Sequence, residues 1–591
     1  MIPQNIKQIP KHVKRIPYGV ADFEKIQNNN LYYVDKTAYI PMLEQSPYYI
    51  FLIRPRRFGK SLWVSVLENY YDVNRKERFA ELFRDTWILE NSTEERNTYL
   101  ILTFNFSMVN PDVRFVGESF EANGKAVIHD FLLRYEHFFT EKESADIMDL
   151  SNTADRLRKL LFHASLKKLK IYLIIDEYDN FANTILSTAG EKAYHDLTHG
   201  PGFFRYFFNL LKGGTGRGDS GLSRLFITGV SPVTMDDVTS GFNIGENITV
   251  NEKFNELLGF TEKEVRDMLD YYRREGLLNL EPDVCMEIMK DWYDSYRFSE
   301  DAGQEVFNSD MVLFFILKAQ DRTDMPRHLI DPNVRIDYSK LRHLMLIDRG
   351  RRLNGNFSEL KNIIETGETS CDISLSFPLE HLRQRENFIS LLFYFGLLSI
   401  RGRHEGIPLL RIPNLTVRNL MYGYIRDAFQ DVDIFRINLL EFSRRVQKMA
   451  YRGEWRPVFD FLAEETEKQT SVRDYLEGEK VIQGFLLAYL NVTDFFLTKS
   501  EQEAAKGFCD LWLEPFLARF PDMPFGYLIE LKYIARSEFS NALLEKRIAE
   551  AKVQLKRYGE DERVKRIAEK VMVKKIVLVY KGWELVHMEE V

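Results

Sequence analysis

The sequence predicts a multi-domain α/β protein, and three observations carry that reading. The first 250 residues alternate short apolar runs with helix-length segments. Residues 260 to 345 follow a helical pattern. Past residue 460 the composition shifts back to strand-like runs flanked by helices. Strand–helix alternation of the first kind implies a parallel sheet covered on both faces.

The elements follow in order. YYIFLI (48–53), YLILTFNF (99–106), IYLIID (171–176) and RLFITGV (224–230) read as buried strands. Each is short, rich in β-branched or aromatic residues, and followed by a polar or Gly-containing turn. Helices are expected at 61–71 and 154–169. Thr261 with Glu264 three positions on forms a capping box, which opens a helix in TEKEVRDMLDYYRREG. ENFISLLFYFGLLSI (386–400) reads as a helix running into a strand, RGRHEGIPLLRI (401–412) as a hairpin, and LTVRNLMYGYIRDAF (415–429) as a further helix. That order suits a winged-helix module; a plain helical linker is the alternative. Further on come a helix near 474–490 and strand-like runs in DFFLTKSEQEA, GFCDLWLEPF and GYLIELKYI. A long helix near 538–558 and two terminal strands, KKIVLVY and WELVHMEE, complete a separate α/β unit.

Composition removes several classes. The 591 residues suggest about four units at roughly 150 residues each. An apolar fraction of 45% with 13% aromatics excludes global disorder. Lys+Arg of 80 against Asp+Glu of 88 gives −8, which excludes a histone-like coat of positive charge but leaves local basic grooves open. Cys285, Cys371 and Cys509 are too few and too dispersed for a disulfide framework or a thiolate metal site. A reduced, cytoplasmic setting is therefore expected. The N-terminal stretch has no apolar signal core, and the longest apolar run, 388–400, is too short to span a bilayer. A soluble protein without a membrane partner is the expectation.

Directly after the first strand the chain reads RPRRFGKS, Arg54 to Ser61. A phosphate loop needs backbone N–H groups at a helix start, a lysine for the terminal phosphates and a hydroxyl for Mg²⁺. Arg57, Phe58, Gly59, Lys60 and Ser61 supply that set, Ser61 being the Mg²⁺ ligand. The first glycine of G-x-x-x-x-G-K-[ST] is missing, and Arg54 stands in its place. A bare GK[ST] arises by chance in roughly one such chain in four, so the strand before it and the helix after it carry the assignment. Asp176 and Glu177 end a buried strand, at the edge where open α/β sheets bind ligands. Asp176 there suits Mg²⁺, and Glu177 suits orientation of an attacking water. Thr228 or Ser231, at the end of the next strand, is placed to sense a γ-phosphate.

A second constellation lies near the C-terminus. Two adjacent strands can set Asp510 and Glu530 side by side as ligands for a divalent cation. Glu530 and Lys532 are two apart and share a strand face, which puts an ammonium beside that cation. Glu479 on the preceding helix can complete the carboxylate set, and Gln554 on the following helix can hydrogen-bond into it. E-x-K alone should occur about three times by chance in a chain this charged. The order helix-Glu, strand-Asp, strand-ExK, helix-Gln is far more specific.

With these residues in view, the chain resembles AAA-ATPase-like proteins that carry a C-terminal PD-(D/E)XK nuclease-like domain. The resemblance rests on IPYGVADFEKIQNNNLYYVDKT, FLIRPRRFGKSL, LIIDEYD, FITGVSP and KDWYDSYRF, and in the C-terminal region on EKVIQGFLLAYL, SEQEAAKGFCDLWL, YLIELK and AEAKVQLKRY. It extends over most of the chain, and the glycine-poor loop is common to such proteins. It implies ATP at the loop and metal-dependent phosphodiester hydrolysis by Glu479, Asp510, Glu530 and Lys532. Asp35, Lys36 and Thr37 resemble the family's N-terminal box, without an assignable chemistry. Arg297 falls where a lid can supply a sensing arginine. Cys509 and the loop SEQEAAKG depart from the family's usual residues beside the metal aspartate. The implied layout is a P-loop AAA-like ATPase core at 1–255 and a helical lid at 256–345. A helical or winged-helix-like linker at 346–460 and a PD-(D/E)XK restriction-endonuclease-like domain at 461–591 follow.

Other features read as ordinary surface. GGTGRGDSG (213–221) follows a helix, so it is expected as a mobile loop, with Arg217 a remote candidate for a transition-state arginine. His195 and His199 share a helical face without a visible third ligand. Arg401, Arg403 and Arg411 can reach a nucleic-acid backbone, while KVQLKRYGEDERVKRIAEKVMVKK alternates with acids and reads as a solvated face. The expected function is an ATPase whose nucleotide state controls a Mg²⁺-dependent nuclease, Mn²⁺ also suiting that site. The expected partner is nucleic acid, DNA ahead of RNA, with homo-oligomerisation open. The alternatives are a nucleotide-dependent switch or scaffold whose nuclease-like domain binds without cutting, or a nuclease with a relic phosphate loop.

Overall fold

The computed structural model describes residues 10–199, 202–215, 221–239, 245–320, 322–326, 328–334, 355–431, 435–469, 478–499 and 510–591. The chain forms two compact units. The first comprises Met1–Thr323, Leu329–Leu341 and Ser370–Asn414, the second Asp324–His328, Arg342–Thr369 and Leu415–Val591. The segment expected as a linker, 346–460, is thus shared between them.

The first unit is built on a five-stranded sheet. Its strands are β1 (Tyr49–Ile53), β2 (Leu100–Asn105), β3 (Ile171–Asp176), β4 (Leu222–Gly229) and β5 (Glu246–Asn247). They run in the order β2-β3-β4-β1-β5, and every pair is parallel. Near-continuous Ile, Leu and Phe make strands that are buried on both faces, as β3 is over all six residues. The four strands read from the sequence are present; β5, at two residues, is too short to carry a pattern. Register places Ile53 beside Gly229 and Asn105 beside Asp176, so the loops after β1, β3 and β4 emerge at one edge. Around β2 and its helices, rings of Phe106, Phe120, Phe181, Phe204 and Phe207 interlock with centroids 4.7 to 6.3 Å apart. At the other end of the sheet Arg224, 2% exposed, holds Glu95 through two 2.7 Å bonds.

Helices Glu262–Arg274, Pro282–Tyr293 and Ser309–Ala319 follow, in the segment expected to be helical. Thr261 and Glu264 close the expected capping box on the first of them. A short strand, β6 (Glu368–Ser370), marks the passage between units. Helix Arg385–Tyr394 then leads into the antiparallel hairpin β7 (Ser399–His404) and β8 (Ile407–Arg411). Its two-residue turn, Glu405-Gly406, has φ of 52° and 85°, the double left-handed geometry that matches strand twist. The next helix, Leu415–Asp431, completes the expected order of helix, hairpin and helix, and it belongs to the second unit.

The second unit carries a sheet of β9 (Phe496–Lys499), β10 (Leu511–Pro515), β11 (Phe525–Ile534), β12 (Met572–Lys581) and β13 (Glu584–Glu590), in the order β13-β12-β11-β10-β9. Only β11 and β12 are parallel, from Phe525 beside Met572 to Ile534 beside Lys581. One face packs Trp512, Leu528 and Val577 against Ile548, Ala551 and Leu555 of helix Asn541–Tyr558. The opposite face meets a helical pair, Leu439–Arg452 and Arg456–Lys468: Tyr527 donates to Met449 O at 2.6 Å and Trp455 Nε1 to Glu590 Oε2 at 2.7 Å. Gly453 joins those helices at φ 70°, where a Cβ would lie 3.0 Å from the Phe525 ring. Among the described residues no helix is long and apolar enough to cross a membrane.

Candidate functional site

The phosphate loop occupies the turn from β1 into helix Lys60–Tyr71. Gly59 caps that helix at φ 92°, a conformation that strains any side chain. Arg57 is also left-handed, at φ 71°. Its carbonyl is held by Ser309 Oγ at 3.1 Å, and its guanidinium lies 3.8 Å from Asp310. Phe58 is 1% exposed, edge-on to Tyr296 and Phe298, so its ring anchors the loop and only its backbone is left for a ligand. Lys60 Nζ donates to Arg54 O at 3.0 Å and Pro55 O at 2.9 Å. Burial lowers its pKa, opposed by Glu177, Asp176 and Asp179.

Ser61 Oγ donates to Asp176 Oδ2 at 2.7 Å, which joins the loop to the end of β3. Burial raises the Asp176 carboxyl, and the Ser61 bond counters it. Glu177 stands at φ 53°, and its Oε2 accepts from Asn180 Nδ2 at 2.6 Å. Of the two sensor candidates, Thr228 gives its proton to Leu52 O at 2.8 Å. Ser231 Oγ accepts from Val233 N at 3.3 Å and keeps its proton to donate. Asp179, which sequence reasoning passed over, receives Ser231 N at 2.6 Å and Val230 N at 3.2 Å. It ties the ends of β3 and β4 together. Gly229 makes room: a Cβ there would fall 2.4 Å from Tyr178 and 2.5 Å from Asp179.

A cavity of about 480 Å³ opens onto the loop. Gly59, Lys60, Ser61 and Glu177 line its polar end; Val20, Tyr32, Tyr33, Phe260 and Met268 line the rest. The N-terminal stretch is therefore a cavity wall. Its box residues hold that wall in place: Lys36 pairs with Glu264 at 2.7 Å, Asp35 accepts from Thr37 N and Trp87 N, and Thr37 Oγ1 accepts from Ile88 N. Arg297 is not part of the cavity lining. It turns to the hairpin, with its N–H on Ser399 Oγ at 2.8 Å.

Asp294, three residues before Arg297, has Oδ1 buried without a hydrogen-bond partner. Burial, relieved by the Ser295 N–H and reinforced by Glu305, pushes its carboxyl up to about 7. An acid raised in this way favours the fold below its unfolded value of about 3.9, and that contribution is lost as pH rises to about 7. Asp294→Asn is expected to stabilise the protein by about 1–3 kcal/mol near pH 8 and hardly at all near pH 4. Thermal melts across that range check it, and a pH-independent difference would refute it.

The remaining sequence candidates resolve simply. Arg403 pairs with Glu300, and Arg411 with Glu305 at 2.6 Å, so these two of the three hairpin arginines have acidic partners within their own unit. The imidazoles of His195 and His199 stack at 4.3 Å, and His199 lies 3.3 Å from Asp237. Arg217, Cys509 and the loop from Ser500 lie outside the described residues.

In the second unit the pairing of Leu511 with Ile529 sets Asp510 opposite Glu530. Lys532 Nζ is 2.7 Å from Glu530 Oε1 and 4.0 Å from Asp510 Oδ2. Asp510 Oδ2 accepts from Leu531 N at 2.7 Å, and its carbonyl is held by Gln483 Nε2. Exposure is 6% at Asp510, 1% at Glu530 and 8% at Lys532. Burial raises both carboxyls, Asp510 further through Glu530's charge, while the Lys532 bond relieves Glu530. Burial works against the charge on Lys532, yet the bond to Glu530 and the surrounding acids hold its pKa above the usual lysine value. Glu530 Oε2 and Gln554 Oε1 are buried without partners. Glu479 is near enough for its charge to raise both carboxyls, and its Oε2 accepts from Tyr533 N at 3.1 Å. Among the described residues no three His, Cys, Asp or Glu side chains gather to hold a metal ion.

Comparison with known proteins agrees with this layout. Residues 17–239 match a family model described as predicted AAA-ATPase, and residues 477–590 match the PD-(D/E)XK nuclease superfamily. An uncharacterized protein in the vnfD 5′ region of Azotobacter chroococcum mcd 1 is 24% identical over 328 residues, 54% of this chain and 56% of that protein. The match thus spans little more than half the length of that relative. Among solved structures, Cdc6p from Pyrobaculum aerophilum is 12% identical, with coverage of 72% and 97% of the two chains and a TM-score of 0.25. The ADP form of Aeropyrum pernix ORC2 is 13% identical, with the same coverage and a TM-score of 0.28. The chain is an AAA-ATPase-like protein over residues 17–239 with a PD-(D/E)XK nuclease superfamily domain over residues 477–590.

Proposed function

We propose that the first unit binds and hydrolyses ATP, and that nucleotide state controls a divalent-metal-dependent nuclease in the second. The observation that carries the nuclease half is the meeting of Asp510, Glu530 and Lys532 on one sheet face, where Glu530 Oε2 is buried without a partner. That orphan oxygen fits a cation, which Asp510 and Glu530 would hold. A bound Mg²⁺ or Mn²⁺ supplies Lewis-acid polarisation of the phosphodiester. The Lys532 ammonium positions the attacking water and offsets charge developing on phosphate.

For ATP, a cavity of about 480 Å³ is the size of a nucleotide-scale ligand site. Loop amides and Lys60 meet the phosphates, and Ser61 with Asp176 would hold Mg²⁺. Glu177, steadied by Asn180, orients water, and Ser231 offers the sensing hydroxyl. The implied partner is nucleic acid, DNA being the first substrate to try.

A different observation favours a second reading, a nucleotide-dependent switch or scaffold that binds without cutting. No three-residue metal cluster is assembled among the described residues. Labelled DNA and RNA, duplex and single-stranded, incubated with Mg²⁺ or Mn²⁺ and with or without ATP, separate the two. Metal-dependent cleavage that responds to ATP supports the first; ATP binding with every substrate left intact supports the second.

A further inference from the structure

Arg54 holds the loop position where a phosphate loop ordinarily has its first glycine. Its side chain is 0% exposed. The guanidinium donates to Ile53 O at 3.1 Å, Thr249 O at 2.6 Å and Phe254 O at 3.0 Å, and lies 4.2 Å over the Phe298 ring. Nε has no acceptor. Among the described residues no carboxylate forms an ion pair with it. Carbonyl dipoles and an aromatic face offset only part of the cost of burying a cation. The contrast lies within the same sheet, where buried Arg224 is matched by Glu95 at 2.7 Å. The neighbouring acids Asp176, Glu177 and Asp179 oppose the burial of Lys60, and Asp310 faces Arg57. Of Arg54, Arg57 and Lys60, Arg54 is the cation without an acidic neighbour among the described residues, and its carbonyl receives Lys60 at 3.0 Å.

We propose that Arg54 is a specificity-determining residue whose missing counter-ion is the polyphosphate of the nucleotide. This rests on the nucleotide reading of the cavity. Arg54 does not touch the ligand. Its field, weakly screened in the protein interior, adds attraction for each negative charge on the phosphate chain. Affinity therefore rises from adenosine through AMP and ADP to ATP by a steeper gradient than Lys60 alone provides.

The test measures dissociation constants of adenosine, AMP, ADP and ATP for the full-length protein and three variants. Arg54→Met removes the charge and keeps the bulk. Arg54→Gln is neutral but retains donors for the carbonyls, in case the Met variant does not fold. Arg54→Lys keeps the charge. The neutral variants should lose about tenfold in ATP affinity, less for ADP and AMP, and nothing for adenosine. The Lys variant should keep the wild-type gradient within about threefold. Equal losses for all four ligands, or a Lys variant that behaves like the neutral ones, would overturn the proposal. A wild type that binds none of the four overturns the nucleotide reading itself, and the proposal with it.

Discussion

Lys532→Ala is expected to lower metal-dependent cleavage by about a hundred- to a thousandfold. The lysine is 8% exposed and reaches Glu530 at 2.7 Å and Asp510 at 4.0 Å. No other cation ion-pairs with these two acids among the described residues. Truncation removes the ammonium proposed to steady water and to answer phosphate charge. It also leaves Glu530 buried and alone, which ordinarily costs about 3–5 kcal/mol. Here the penalty is softened, because burial already raises both carboxyls and Glu530 can take up a proton. The variant should therefore fold while failing to cut. The paired measurement is kcat/KM on a labelled duplex together with a thermal melt; a variant that cuts at more than about a tenth of the wild-type rate would sink the assignment.

Lys60→Ala should weaken ATP binding by about a hundredfold, or about 2.7 kcal/mol. The ammonium closes the loop by donating to Arg54 O and Pro55 O, besides being the charge directed at the terminal phosphates. Ser61→Ala breaks only the 2.7 Å link to Asp176 and is the milder comparison. Titration of each variant with ATP by calorimetry decides the matter. Binding within about threefold of wild type would make the loop a structural relic.

Much of this arrangement was legible in the sequence, for physical reasons that differ by residue. The strands before Arg54 and through Asp176 are continuous apolar runs, so their ends, and the residues placed there, follow from local pattern. Asp510, Glu530 and Lys532 were legible because strand alternation sets which side chains share a face. Phe58 and Arg54 were not, since their partners lie at 249, 254, 296 and 298, and no local pattern announces them. Thr228 shows the same limit on a smaller scale: a hydroxyl chooses among nearby acceptors, and Leu52 O won. Glu479 sits on the expected helix, but the N–H of Tyr533 is the partner it meets. Asp179 gave no signal beyond being a third acid in DEYD. Arg403 and Arg411 had the right charge for nucleic acid, but the acids of 300–305 were already facing them.

The helical pair Leu439–Arg452 and Arg456–Lys468 has a practical consequence for anyone dissecting the protein. A fragment trimmed to the nuclease superfamily match would begin at residue 477 and lose both helices. Tyr527 and Glu590 would lose their hydrogen-bond partners, and the sheet face now met by the two helices would be open to water. Such a fragment is expected to be sticky and poorly recoverable after expression, whereas one starting near residue 415, which keeps helix Leu415–Asp431 as well, should stay in solution, a difference that size-exclusion chromatography reads directly.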